Sequence, residues 1–138
     1  MNTKAAKNQP RGIRNNNPLN IRIGNSWLGE VTNPSDSDFE QFVSVVYGLR
    51  AAFCILRRYI RRYHRDTISK IINAWAPSNE NNTALYISKV AERVGISPDT
   101  PIRYEDTETM YSLVQAMAMQ ECGQRVSEDS LEKAYKIA

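Results

Sequence analysis

The chain has 138 residues, 41% hydrophobic and 24% charged, with a formal net charge of +3. That length suits one domain with its own core, needing no metal or disulfide staples, and the composition excludes the disordered and membrane classes. The mild positive excess suits anionic partners in general and selects none of them.

Residues 1–12 are polar and lack periodicity, with Lys4, Lys7 and Arg11 among them, and read as a flexible basic arm ahead of a single domain over 13–138. No apolar segment follows these charges, so no signal peptide is expected, and the longest apolar stretches, around Val43 to Leu49 and Ala51 to Leu56, are too short to span a bilayer. The expectation is a protein made in a cytoplasm without a leader, which needs a hole-forming partner or a virus particle to reach anything outside the membrane. The stretch Arg11 to Ile21 is dense in Asn, Gly and Pro, residues that favour turns, while Ile13, Leu19, Ile21 and Ile23 anchor it. It reads as an ordered loop or short strand. Trp27 to Phe42 continues as loop, with a turn cluster from Pro34 to Asp38.

From Val46 the apolar residues Val46, Leu49, Phe53, Leu56, Ile60 and Tyr63 alternate steps of three and four, the stripe of an amphipathic helix. Thr67 can cap a second helix through Ile68, Ile71, Ile72 and Trp75, stopped at Pro77. A third begins at Thr83, runs through Tyr86, Ile87, Val90 and Val94, and ends at Gly95. After a loop with Pro98 and Pro101, a fourth spans about Thr107 to Cys122 with Gly123 as its stop, and a fifth begins near Ser127 with Glu128 and Asp129 in its first turn. The fold class is therefore mainly α. Cys54 and Cys122 fall in helical patterns without metal-ligand spacing and read as buried thiols. No metal and no cofactor is implied.

The fourth helix carries Met110, Leu113, Val114 and Met117 on one stripe, and Glu121 occupies its next position. A carboxyl aimed at a core has its charged form disfavoured, which is how a glycosidase keeps a proton available near neutral pH. The plainer alternative is a Glu near a helix end that reaches water. Asn15, Asn16, Asn17 and Asn20 supply amides that donate and accept together, as sugar hydroxyl and acetamido groups require, although Asn also serves turns. Trp27, Trp75 and Tyr86 are candidate walls for sugar rings, although a Trp or Tyr at helical spacing is more often a core residue. Arg50, Arg57, Arg58, Arg61, Arg62 and Arg65 crowd the first long helix, a basic face suited to a phosphate backbone or to solvent and surface acids. No groove-reading motif accompanies it, so nucleic acid is the less favoured partner. His64 alone makes neither a metal site nor a triad.

The run from Arg11 through Asn15-Asn-Asn-Pro-Leu-Asn20 to Arg22, then Trp27-Leu-Gly29, Asp38-Phe-Glu-Gln-Phe42, Gly48-Leu-Arg-Ala51, Trp75-Ala-Pro77 and Glu80-Asn81, resembles a family of small phage and prophage virion structural proteins. This likeness extends from Arg11 to Gly123 and states no chemistry. A second resemblance does: Gln120-Glu-Cys-Gly123 looks like the acid motif of the lysozyme-like lytic transglycosylases, Asn73-Ala-Trp-Ala-Pro77 like their Ala-Tyr-Asn segment, and Glu80 to Tyr86 like the segment that brings a Tyr beside the acid. The order is permuted, a change that chains with neighbouring ends tolerate. Cys122 stands where a small polar residue usually follows the acid, and Trp75 where the family has Tyr.

The resemblance implies a lysozyme-like helical domain with an Asn-rich loop or short strands near its N-terminus, in circularly permuted order. It implies cleavage of peptidoglycan glycan strands by a phage lysin or virion-associated protein, acting in the periplasm or carried in the virion. Glu121 is then the catalytic acid, with Asn17, Asn20, Trp27, Trp75, Glu80 and Tyr86 binding substrate. A muramidase needs a second carboxyl, for which Glu30 comes first and Asp38 and Glu40 follow, whereas a transglycosylase needs only one. Two other readings stay open: an inactive virion structural protein associated with other virion proteins, and a DNA-associated protein bound through the arginine helix.

Overall fold

The computed structural model describes residues 9–78 and 82–138. Within these lie six helices: α1 (Arg11–Arg14), α2 (Val45–Tyr63), α3 (Ile68–Trp75), α4 (Thr83–Val94), α5 (Thr107–Cys122) and α6 (Glu128–Ile137). Their ends follow local chemistry. Thr67, Asn82, Asp106 and Ser127 each accept, through the side chain, a backbone N–H two or three residues into the following helix. Gly95 and Gly123 close α4 and α5 in the left-handed conformation, and His64 does the same for α2 at φ 53°.

Helix α5 is the centre of the molecule. Met110, Leu113, Val114, Met117 and Ala118 are all fully buried, because α1, α2, α4 and α6 all pack on this helix. Helix α2 contributes Leu49, Phe53 and Leu56 to the same core. Its predicted stripe runs off the core at the C-terminal end, where Tyr63 is half exposed. Phe53, Tyr111 and Tyr135 meet edge to edge, and Tyr135 stacks on Tyr104 at 4.9 Å, which fastens α6 to α2 and α5. No described helix is long and apolar enough to cross a membrane.

The N-terminal segment differs from expectation at Arg11 to Arg14 and is otherwise the expected ordered loop. Residues 1–8 lie outside the described residues, but Arg11 and Gly12 already belong to the fold. Arg11 to Arg14 form one helical turn, held where the guanidinium of Arg11 meets Asp36 at 2.5 and 2.6 Å and Asp38 at 3.1 Å. The following loop contains only isolated bridges, Arg22 with Phe39 and Glu30 with Phe42. Side-chain amides reinforce a few backbone bonds such as Glu40 N to Ile21 O: Asn17 accepts from Ile21 N at 2.9 Å and donates to the carbonyls of Ile21 and Glu40, and Asn16 donates to Phe42 O. Asn16 and Asn20 have φ of 53° and 52°, the left-handed region that Asn tolerates better than most side chains. Cys54 is only half-buried, because it faces a surface groove described below, while Cys122 is buried.

A Cβ on Gly48 would fall on the carbonyl oxygen of Asn16, so the Asn loop can sit on α2 only where that helix has no side chain. Gly48→Ala should therefore cost about 3 kcal/mol or more, measured by chemical denaturation, as backbone cannot yield as a side-chain tip does. Gly24→Ala, with open space around it, should be close to neutral.

Candidate active site

Glu121 lies in the last turn of α5, and the structure brings segments from both ends of the chain to it. Asn20 Nδ2 donates to Glu121 Oε1 at 3.1 Å and to its backbone carbonyl at 3.3 Å, across 101 residues of sequence. The Tyr86 hydroxyl, from the first turn of α4, donates to Oε2 at 2.9 Å. Trp75, at the end of α3, and the positive charge of Arg22 lie close enough to favour the charged form of the carboxyl. Burial pushes the Glu121 carboxyl above the usual carboxylate range, against the opposing pull of Asn20, Tyr86, Arg22 and Trp75. The phenol of Tyr86 is itself pushed up, by burial first and then by the Glu121 charge, so it stays a donor.

The carboxyl opens on a cleft of about 510 Å³. Asn20, Trp27 and Trp75 line it, together with Arg22, Arg58 and Tyr59, so aromatic faces, amide and guanidinium groups surround one acid. Among the described lining residues Glu121 is the single carboxyl. Trp75 and Tyr59 meet edge to edge at 6.3 Å, which gives the cleft a fixed aromatic corner. Arg58 was singled out only as part of the arginine face of the first long helix, and Arg22 and Tyr59 were not singled out from the sequence as site residues. The one signal for them is position, since Arg22 follows Asn20 by two residues and Tyr59 precedes Tyr63 by one helical turn on α2.

Other expected site residues lie elsewhere. Asn17 is fully buried and its amide is spent on backbone, so it positions the loop and does not itself line the cleft. Tyr86 is buried behind Glu121 and is not among the cleft's lining residues. Glu80 lies outside the described residues. Glu30 does not line the cleft: its bridge to Phe42 sets it on the same face as Glu40, the diagonal neighbour across the pair. Burial, and then the carboxyl of Glu30, push Glu40 up to about 7. Asp38 is exposed and paired with Arg11. No group of three or more His, Cys, Asp or Glu suited to a metal occurs among the described residues.

Over 131 residues the chain is 38% identical to "Protein P5" of Pseudoalteromonas phage PM2, a match that covers 91% of this chain and 80% of that protein. No family model matches the chain.

Glu40 and Glu121 have folded-state pKa values above their unfolded ones, so their stabilising contribution is complete below about 4.5 and is lost as pH rises. Unfolding free energy should therefore fall as pH is raised from about 4.5 through 7, and Glu40→Gln should flatten most of that slope in denaturation curves taken across the range. Tyr86→Phe removes a donor to Oε2 that favours the charged carboxyl, so carbon-detected NMR titration should find Glu121 higher still than in the native protein. The accompanying stability loss should be about 1 kcal/mol.

Proposed function

The chain belongs to the family of protein P5 of Pseudoalteromonas phage PM2, and on that premise we propose that it cleaves the glycan strands of peptidoglycan, on a lysozyme-like helical scaffold, with Glu121 as general acid and then general base. The observation that carries this reading is one half-buried carboxyl, the single one lining the cleft among the described residues, raised in pKa and hydrogen-bonded by Asn20 and Tyr86, with Trp27, Trp75 and Tyr59 as the cleft's walls. Aromatic faces stack on the apolar faces of sugar rings, while Asn20 and Arg22 offer polar groups to hydroxyls and acidic substituents.

The bond broken is that between N-acetylmuramic acid and N-acetylglucosamine. Glu121 gives its proton to the glycosidic oxygen, and the bond from that oxygen to C1 of the muramic residue breaks. The resulting carboxylate then takes the proton of the same residue's 6-hydroxyl, whose oxygen bonds to C1, and a 1,6-anhydro end forms. One carboxyl suffices for this sequence, whereas hydrolysis needs a second that holds water or the sugar. The pairing of Glu30 with Glu40 away from the cleft favours the first course.

Asn20 and Tyr86 hold both carboxyl oxygens, so the acid is fixed in direction before substrate arrives. Their donated hydrogen bonds also stabilise the carboxylate left after the proton departs.

Glu121→Gln keeps the side chain's size and one of its two acceptor oxygens but removes the transferable proton. It should lower lysis of permeabilised Gram-negative cells by several powers of ten and leave stability within about 1 kcal/mol. Mass analysis of the native protein's products should find anhydro ends. A wild-type protein that is folded and clears no wall would overturn the reading in favour of a structural role in the phage particle.

A further inference from the structure

Beside the cleft lies a second groove of about 490 Å³, lined by Arg50, Arg57, Arg58 and Arg61 with Trp27 and Cys54. Trp27 and Arg58 line both depressions, so the two share a wall. The arginines at 50, 57 and 61 fall at i, i+7 and i+11 of α2, within about 20° of one line along the helix, while Arg58 is turned from that line toward the cleft. Arg57 and Arg61, one turn apart, repel each other, and no carboxyl lines the groove among the described residues.

The guanidinium groups are held in place from outside the groove. Arg50 Nε donates to Ile137 O at 3.0 Å, Arg57 lies over the Tyr104 ring at 5.7 Å, and Arg61 pairs with exposed Glu105. Arg50 and Arg57 are thus positioned without being neutralised, and Arg58 has no acidic partner among the described residues.

We propose that this groove receives the carboxylate-bearing peptide branch of the strand whose sugars occupy the cleft, so that the protein prefers peptide-substituted glycan to bare glycan; the inference rests on the glycan-cleavage reading above. Planar guanidinium forks match carboxylates in a bidentate manner, and the shared wall at Trp27 and Arg58 gives a branch from a cleft-bound sugar a direct path. The span from Arg50 to Arg61 is about 16 Å along α2, the length of an extended peptide of four or five residues.

Binding tests this independently of turnover. Titration calorimetry would compare a soluble disaccharide–peptide fragment of peptidoglycan with the same disaccharide after removal of its peptide. We expect Kd about tenfold lower with the peptide present, a gap that narrows as salt is raised. Arg57→Gln should weaken binding of the peptide-bearing fragment and leave the bare disaccharide unaffected, and Arg50→Gln, on the same face, serves should the first variant fold poorly. Equal affinities for the two fragments would overturn the proposal. So would an Arg57→Gln protein that keeps the peptide preference but loses affinity for duplex DNA, which would assign the groove to nucleic acid. Wall cleavage without any peptide preference sinks this inference alone, whereas peptide-dependent binding without cleavage supports the groove and sinks only the catalytic role of Glu121.

Discussion

Everything at the candidate site depends on how closely the Asn15 to Asn20 loop can approach α2. At Gly48 the helix presents no side chain, and the carbonyl of Asn16 occupies the space a Cβ would fill. From that seat Asn17 is buried with its amide satisfied by Ile21 and Glu40, and the turn at Asn20 reaches Glu121 from the far end of the sequence. Each of these hydrogen bonds contributes only about 1 kcal/mol net, but a buried amide left unpaired costs about 1–3 kcal/mol. The loop therefore holds one geometry because the alternatives strand polar groups, and the acid inherits that rigidity.

The protein contains two raised carboxyls with different causes. Glu40 is pushed up by burial and then by a like group, Glu30. Glu121 is pushed up by burial alone, while every polar neighbour pulls it back. A proton on Glu40 lies within the loop, away from the cleft. A proton held against donors, at the mouth of a cleft, is available to something that enters. Position, rather than the size of either shift, separates the two carboxyls.

The helices were readable because their ends are decided by a few adjacent residues: Thr67 before Ile68, Pro77 after Trp75, Gly95 and Gly123 in left-handed turns, Ser127 ahead of Glu128 and Asp129. The place of Glu121 on the stripe of Met110, Leu113, Val114 and Met117 was readable for the same reason, as periodicity places a residue on a face before its neighbours are known. Helix α1 was not readable. A single turn begun at Pro10 and Arg11 has no periodic signal, and what holds it, the contact of Arg11 with Asp36, lies 25 residues away. Asn17 and Asn20 are chemically identical in sequence, yet one is spent on backbone and the other faces the cleft. The pairing of Glu30 with Glu40 depends on a bridge across the loop that no local pattern announces.

For the proposed acid, the opposition of forces on Glu121 has a consequence for turnover. Desolvation favours the neutral carboxyl that must give a proton, and Asn20, Tyr86, Trp75 and Arg22 favour the carboxylate that must later take one back. A site with desolvation alone would hold its proton too tightly to release it to a weakly basic glycosidic oxygen. One with donors and cations alone would lose the proton to water before substrate arrived. On the proposed reading, a sugar chain entering the cleft would displace water from the open side and strengthen the first influence, while the hydrogen bonds from Asn20 and Tyr86 would persist and stabilise the product of proton transfer. On that proposal, binding of the chain would itself raise the fraction of Glu121 that carries a proton, and the same two residues would then keep the resulting charge from making the transfer unfavourable.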